Sequence, residues 1–338
     1  MDTFKYTNEF ILESGFVFPE IEIAYSTYGI LNADKSNVVW ICHALTANSD
    51  AADWWNGVVG SNHLIDPAKY FIVCANILGS SYGSTGPLSI NPVTQKKYYN
   101  NFPLITVRDM VQAHILLRQH LGIEKIFLLM GGSMGGYQAM EWCVMENGVI
   151  ENLLLLATSA SESAWGIATH TAQRLSIEAD STFNTAVDNA GAKGLKAARA
   201  IGMLTYRNYG IMVQQQTDAD HDKVDNFKAS SYINYQGDKL VQRFNAYSYW
   251  QLTKTMDSHN IARGRGGNLE TALQKFTQRT LIIGISSDIL CPLIEQYFLA
   301  KHIPDAAMIV IDSDYGHDGF MVESKIISGH VSKWLDEL

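Results

Sequence analysis

The sequence predicts an α/β chain: a mostly parallel sheet flanked by helices and interrupted by a long helical insertion. Three observations predict it. Short apolar runs are continuous rather than alternating, amphipathic helical patterns lie between them, and the stretch 159–279 is rich in helix formers with few strand-like runs. Strands alternating with helices define the class.

The runs Val38–Cys42, Tyr70–Leu78, Lys125–Met130, Asn152–Thr158, Thr280–Ser286 and Met308–Asp312 read as strands. Continuous hydrophobicity belongs to strands covered on both faces, as in a parallel sheet, because both alternating sets of side chains then need apolar surroundings. The clearest helix runs from Thr106 to Leu121, with Val107, Met110, Val111, Ile115, Leu117 and Leu121 at roughly helical spacing. Thr106 with Asp109 forms a variant capping box, and Gly122 stands where a C-terminal glycine cap belongs. The rhythm stops after Thr158. Residues 159–279 read as a mostly helical lid over the sheet, leaving 1–158 and 280–338 as the core. It resumes with a strand, a helix over about Leu293–His302, a strand, a loop and a final helix over about Glu323–Glu337. Residues 262–267 are a glycine-rich turn and not a phosphate loop, since no strand precedes them and no Lys-Ser/Thr ending follows.

Composition narrows the function. With 338 residues and 47% hydrophobic content the chain can bury a sizeable core without metal or disulfide staples. A net charge of −9 argues against a nucleic-acid backbone binder, which needs a basic stripe. No run approaches the ~18 apolar residues of a membrane span. The opening residues, MDTFKYTNEFILESG, lack the basic start and apolar run of a signal peptide, so a cytoplasmic location is expected. Cys42, Cys74, Cys143 and Cys291 are scattered without a CxxC pair, so buried reduced thiols are expected and no metal.

The sharpest chemical signal is FLLMGGSMGG, residues 127–136, where Gly131-Gly132-Ser133-Met134-Gly135 fits the G-x-S-x-G nucleophile elbow. An apolar strand precedes it and a helical pattern over about Tyr137–Met145 follows, the context such an elbow requires. A serine needs a base, and the base needs a third group to orient it. The expected chain order is Ser, then Asp or Glu, then His. Asp288 follows the strand TLIIGISS, and His317 follows the last strand among glycines; Asp312 and Asp314 compete with Asp288 but lie close to His317 in sequence. An oxyanion hole needs two backbone N–H donors. Met134, directly after the serine, supplies one, and Leu45, in the loop after an earlier strand, supplies the other. These residues imply acyl transfer through an acyl-enzyme, with water or another acceptor as second substrate.

HALTANSDA (43–51), NILGSSYGSTGPLSINP (76–92), FPLITVRDMVQAH (102–114), GGSMGGYQAMEW (131–142), MLTYR (203–207), SYINYQGDKLVQRFNAYSYWQLTKTMD (231–257) and YGHDGF (315–320) resemble the homoserine O-acyltransferases, α/β-hydrolase-fold enzymes of methionine biosynthesis. The likeness is collinear over nearly the whole chain. It implies that Ser133 takes an acyl group from acyl-CoA and passes it to the side-chain hydroxyl of L-homoserine, with His317 as base and acid and Asp288 holding its imidazole. It further implies that Arg207 binds the substrate α-carboxylate and Asp318 its α-ammonium, two opposite charges set apart to grip a zwitterion. Succinyl-using members carry an arginine seven positions after the triad acid; here that register falls on Glu295, which favours acetyl-CoA as the co-substrate. No other cofactor is implied. The resemblance also implies a homodimer whose contact and active-site tunnel are built from the insertion. HALTANSDA, TYRN and QRFNAYSYW depart from the commoner HALTGDSH-, TYRS- and RFDANSYL-like forms, which leaves L-serine open as an acceptor, as succinyl-CoA and simple ester hydrolysis remain on the same triad.

Overall fold

The computed structural model describes residues 1–337. Its strands are β1 (Asp2–Tyr6), β2 (Phe10–Ile11), β3 (Val17–Phe18), β4 (Ile21–Tyr28), β5 (Val38–Cys42), β6 (Phe71–Ala75), β7 (Ile126–Gly132), β8 (Ile150–Leu156), β9 (Arg279–Ile285) and β10 (Ala306–Ile311). They form an eight-stranded sheet in the order β1-β4-β6-β5-β7-β8-β9-β10, with β2 and β3 a separate hairpin. From β6 to β10 every neighbouring pair is parallel, and these strands are the apolar runs read from the sequence. Strand β5 explains why the runs are continuous: Val38, Trp40 and Cys42 enter the core on one face, Val39 and Ile41 on the other.

The amino-terminal strands were not read from the sequence. β1 pairs antiparallel with β4, and β4 antiparallel with β6, at one edge of the sheet. β4 carries Glu22, Ser26 and Thr27 among its apolar residues, so it lacks the unbroken run that marked the central strands.

Helices α1 (Ala51–Trp54), α2 (Val107–His120) and α3 (Met134–Met145) precede β8. The α2 capping box is present: Thr106 Oγ1 accepts from Asp109 N, and Asp109 Oδ2 accepts from Thr106 N at 2.8 Å. Between β8 and β9 lie α4 (Ala164–Glu178), α5 (Ala192–Tyr206), α6 (Tyr209–Gln216), α7 (Lys228–Val241), α8 (Ala246–Asp257) and α9 (Leu269–Leu273), the helical insertion. Then follow α10 (Leu293–His302), α11 (Gly319–Val322) and α12 (Ser324–Asp336). Met110 and Leu117 of α2, Met140 and Trp142 of α3 and Leu299 of α10 pack on one face of the sheet. Ile327, Val331 and Trp334 of α12 pack with Trp55 and Phe320 on the other. All four cysteines are buried and free. Among the described residues no helix is long and apolar enough to cross a membrane.

This topology positions the site. Because β5, β7, β9 and β10 run parallel, their carboxyl ends emerge at one edge. The segments that follow them carry Leu45, Ser133, Asp288 and His317.

Candidate active site

Ser133 joins β7 to α3 with φ +54° and ψ −127°, a conformation that costs a non-glycine residue energy and persists only where surroundings impose it. Here Ser133 N donates to Leu156 O at 2.9 Å, and its carbonyl accepts from Thr158 Oγ1 at 2.9 Å. The flanking glycines are required by close approach. A Cβ on Gly135 would stand 2.1 Å from the Cys42 carbonyl oxygen, and one on Gly131 would stand 2.3 Å from Gly135 O. Any side chain there would push α3 off β5 and β7.

Ser133 Oγ lies 2.9 Å from His317 Nε2, and His317 Nδ1 lies 2.7 Å from Asp288 Oδ2. The other Asp288 oxygen accepts from Leu290 N at 2.8 Å and Cys291 N at 2.9 Å, which fixes the carboxylate plane. All three residues are buried. Asp312, the competing acid, instead accepts from Ser286 Oγ at 2.8 Å, and Asp314 is exposed. Burial by itself depresses the His317 imidazole, but the charge of Asp288 and its hydrogen bond, with Asp318 and Glu162 nearby, raise it above its ordinary value.

Leu45 and Met134 flank the serine on two different elements, the exit of β5 and the first turn of α3. Among the described residues neither N–H donates a hydrogen bond to another group, and the first N–H groups of a helix have no intrahelical acceptor. Leu45 lines the cavity above Ser133.

That cavity, about 360 Å³, is walled by both the sheet edge and the insertion. Asp318 lines it, while Arg207 stands behind, with Nε 3.1 Å from Asp318 Oδ2 in an ion pair that is not aligned as a hydrogen bond. The sequence reading set these charges apart; the structure pairs them, because the turn bearing Asp318 packs directly against the end of α5, at whose C-cap Arg207 lies. Burial raises the Asp318 carboxyl, against the pull of Arg207, Arg199 and His317.

Sequence reasoning assigned no role to several wall residues. Arg199 and Tyr206 of α5, Lys239 of α7, Arg243 just after α7, and His170 of α4 all line the cavity. His170 Nδ1 bonds Asp257 Oδ1 at 2.8 Å, and Arg174 holds the other Asp257 oxygen at 2.6 Å. The signal available was spacing: Arg199 and Tyr206 recur at seven residues, and Lys239 and Arg243 at four, within helical patterns. Glu295, used to favour an acetyl donor, is half-buried on α10 and is not part of the wall, so it contributes no argument about the donor. Among the described residues, metal-ligating groups cluster only at Asp288, Cys291 and His317. The two Asp288 oxygens are already engaged, and burial holds the Cys291 thiol well above its usual pKa.

The sequence and the fold are similar to those of known proteins. The family model of the alpha/beta hydrolase fold matches residues 37–324. The homoserine O-acetyltransferase of Cyclobacterium marinum is 49% identical over 312 residues, covering 92% of this chain and 88% of that protein. Among solved structures, the homoserine O-acetyltransferase from Bacillus anthracis aligns with a TM-score of 0.92 at 25% identity, over 99% of this chain and 96% of that one. An acetylester hydrolase from Corynebacterium glutamicum aligns with a TM-score of 0.86, also at 25% identity, over 100% and 95%. By sequence relatives that cover nearly its whole length and by the fold they share, the chain belongs to the homoserine O-acetyltransferases, acyltransferase enzymes of the α/β-hydrolase fold.

Proposed function

We propose that the protein moves an acetyl group from acetyl-CoA to the side-chain hydroxyl of L-homoserine, as a step of methionine biosynthesis, through an acetyl-Ser133 intermediate. The observation that carries the reading is the hydrogen-bonded chain Ser133–His317–Asp288 opening on a cavity that holds the Asp318 carboxylate. His317 Nε2 takes the Ser133 proton as Oγ attacks the thioester carbonyl. The Leu45 and Met134 N–H groups meet the charge on the carbonyl oxygen. The carbon–sulfur bond then breaks, and the thiol leaves with the proton from His317. In the second half the homoserine hydroxyl gives its proton to His317 and attacks the acetyl carbon; the bond from that carbon to Ser133 Oγ breaks, and His317 returns the proton to Oγ. No metal or further cofactor enters this scheme.

Asp318 supports an amino acid as acceptor, since it offers the ammonium a partner inside the cavity, with Arg207 positioned to reach the carboxylate once the ion pair opens. The acetyl donor is supported by the names of the sequence relatives. The same reading makes the chain a homodimer through the insertion, supported by Leu175, Leu204 and Tyr209, whose apolar side chains stand 59%, 63% and 82% exposed on α4, α5 and α6. The second reading, water as acceptor, is favoured by the likeness to an acetylester hydrolase.

The test is release of CoA thiol from acetyl-CoA and from succinyl-CoA, each with and without L-homoserine. Release from acetyl-CoA that requires homoserine supports the proposal. Faster release from succinyl-CoA would keep the mechanism and replace the donor. Release indifferent to homoserine would make the enzyme a hydrolase, or direct attention to L-serine.

A further inference from the structure

Buried polar groups that the acyl-transfer steps leave unused converge on one side chain. Gln138, in the second turn of α3, is fully buried. Its Nε2 donates to the His43 carbonyl at 3.0 Å and to the Met134 carbonyl at 3.2 Å, while its Oε1 lies 3.0 Å from His114 Nε2. Chemistry dictates the orientation. Two carbonyl oxygens can only accept, so the amide NH2 must face them, and His114 must carry its proton on Nε2. Burial pushes the His114 pKa down to about 4, so the ring stays neutral and keeps that single donor.

The two carbonyls belong to the two segments that bear the oxyanion donors. His43 stands two residues before Leu45 at the exit of β5, and Met134 itself opens α3. An oxyanion hole made from both segments works only if their separation is held within about 0.5 Å. The His43 ring pins the same loop from the other side: Nδ1–H donates to Ala44 O at 2.9 Å and Nε2 accepts from Ile77 N at 3.2 Å. Among the described residues the His43 carbonyl has no backbone donor outside the sheet to replace Gln138.

We propose that Gln138, held at its Oε1 by His114, is a positioning residue that sets the spacing of the Leu45 and Met134 N–H groups, so that it acts on the tetrahedral transition states and not on substrate binding. This rests on the acyl-enzyme reading above. An ordinary core amide would, if lost, lower stability alone. A positioning amide would, if lost, selectively weaken whatever carries the oxyanion.

The variant Gln138→Met preserves length and helix propensity but removes both donors. The single-turnover rate of acetyl transfer from acetyl-CoA to Ser133 should fall roughly 10- to 100-fold, short of the ~10²–10³ for deleting an oxyanion donor outright. The dissociation constant of acetyl-CoA should stay within about twofold of wild type, because the ground-state thioester makes no full use of the hole. Methylboronic acid supplies the discriminating readout. The Ser133 oxygen bonds to boron and its proton passes to His317, leaving a tetrahedral anion with an oxygen in the hole. Its affinity should fall by the same factor as the acetylation rate, while the acid limb of the pH–rate profile stays in place.

A rate loss without a matching boronate loss overturns the proposal, as do wild-type values in both assays. Gln138→Glu, which sets a carboxylate against two carbonyls, should lose more than Gln138→Met. If Gln138→Met fails to fold, His114→Phe decides. It leaves both Gln138 donors and removes only the bond that anchors Oε1, so paired smaller losses support the proposal and no loss overturns it. The wild-type enzyme and Ser133→Ala separate the two levels: boronate binding that does not need Ser133 would overturn the acyl-enzyme reading, whereas binding that needs Ser133 but ignores Gln138 overturns the positioning role alone.

Discussion

His317 Nε2 stands 2.9 Å from Ser133 Oγ although 184 positions separate the two in the chain. The contact exists because β7 and β10 end at the same edge of the sheet and because Asp288, buried at the end of β9, holds the far side of the ring at 2.7 Å. Each hydrogen bond orients the next, so the ring has one tautomer that suits both neighbours: the proton on Nδ1 and the lone pair on Nε2.

Ser133→Ala should abolish acetyl transfer, by at least ~10⁴-fold, with no acyl adduct detectable by mass spectrometry. Its thermal unfolding should remain close to wild type, since the elbow is held by Gly131, Gly135 and backbone bonds and not by the hydroxyl. Full turnover in this variant would remove the whole mechanism.

The acid limb of kcat/KM should track the raised pKa of His317. The base must be neutral to take the serine proton, so activity falls as pH drops through that value, above the value of ordinary imidazole. Asp288→Asn removes a charge that raises the ring, so the limb should move to lower pH while the rate falls by about 10⁴-fold. A limb that stays in place would mean that another group titrates there.

Arg207→Ala should separate acceptor from donor. The kcat/KM for L-homoserine should fall about 10- to 100-fold, the size of a lost charge-assisted hydrogen bond, and acetylation of Ser133 should change by less than about twofold. Equal losses in both half-reactions would place Arg207 in the scaffold.

Gly135→Ala puts a methyl 2.1 Å from the Cys42 carbonyl oxygen. Relief requires α3 to move from β5, so the variant should lose about 2–3 kcal/mol or more in urea unfolding, together with activity. Wild-type stability would show that the elbow can give way.

The parallel strands were legible because burial on both faces writes a continuous apolar run, as in Val38–Cys42 and in Leu153–Leu156 of β8. The α2 start was legible because Thr106 and Asp109 satisfy each other's backbone locally. β1 and β4 were not, since the antiparallel pair at the sheet's edge mixes polar residues into its strands. Nor did helical spacing by itself assign a role to Arg199, or any local signal one to His170, since both line the cavity only because α4 and α5 fold back over the sheet edge.

By itself the sequence determined the periodicities, the strained serine turn with its glycines, and the order of serine, acid and histidine. Those features are written in the spacing and order of residues along the chain. Only the tertiary structure decided that Asp288 and not Asp312 meets His317, that Asp318 is paired with Arg207, and that Glu295 stays off the cavity wall. Such choices turn on a few ångströms between elements distant in sequence, and those separations come from how β9, β10, α5 and α10 pack, which no local pattern encodes.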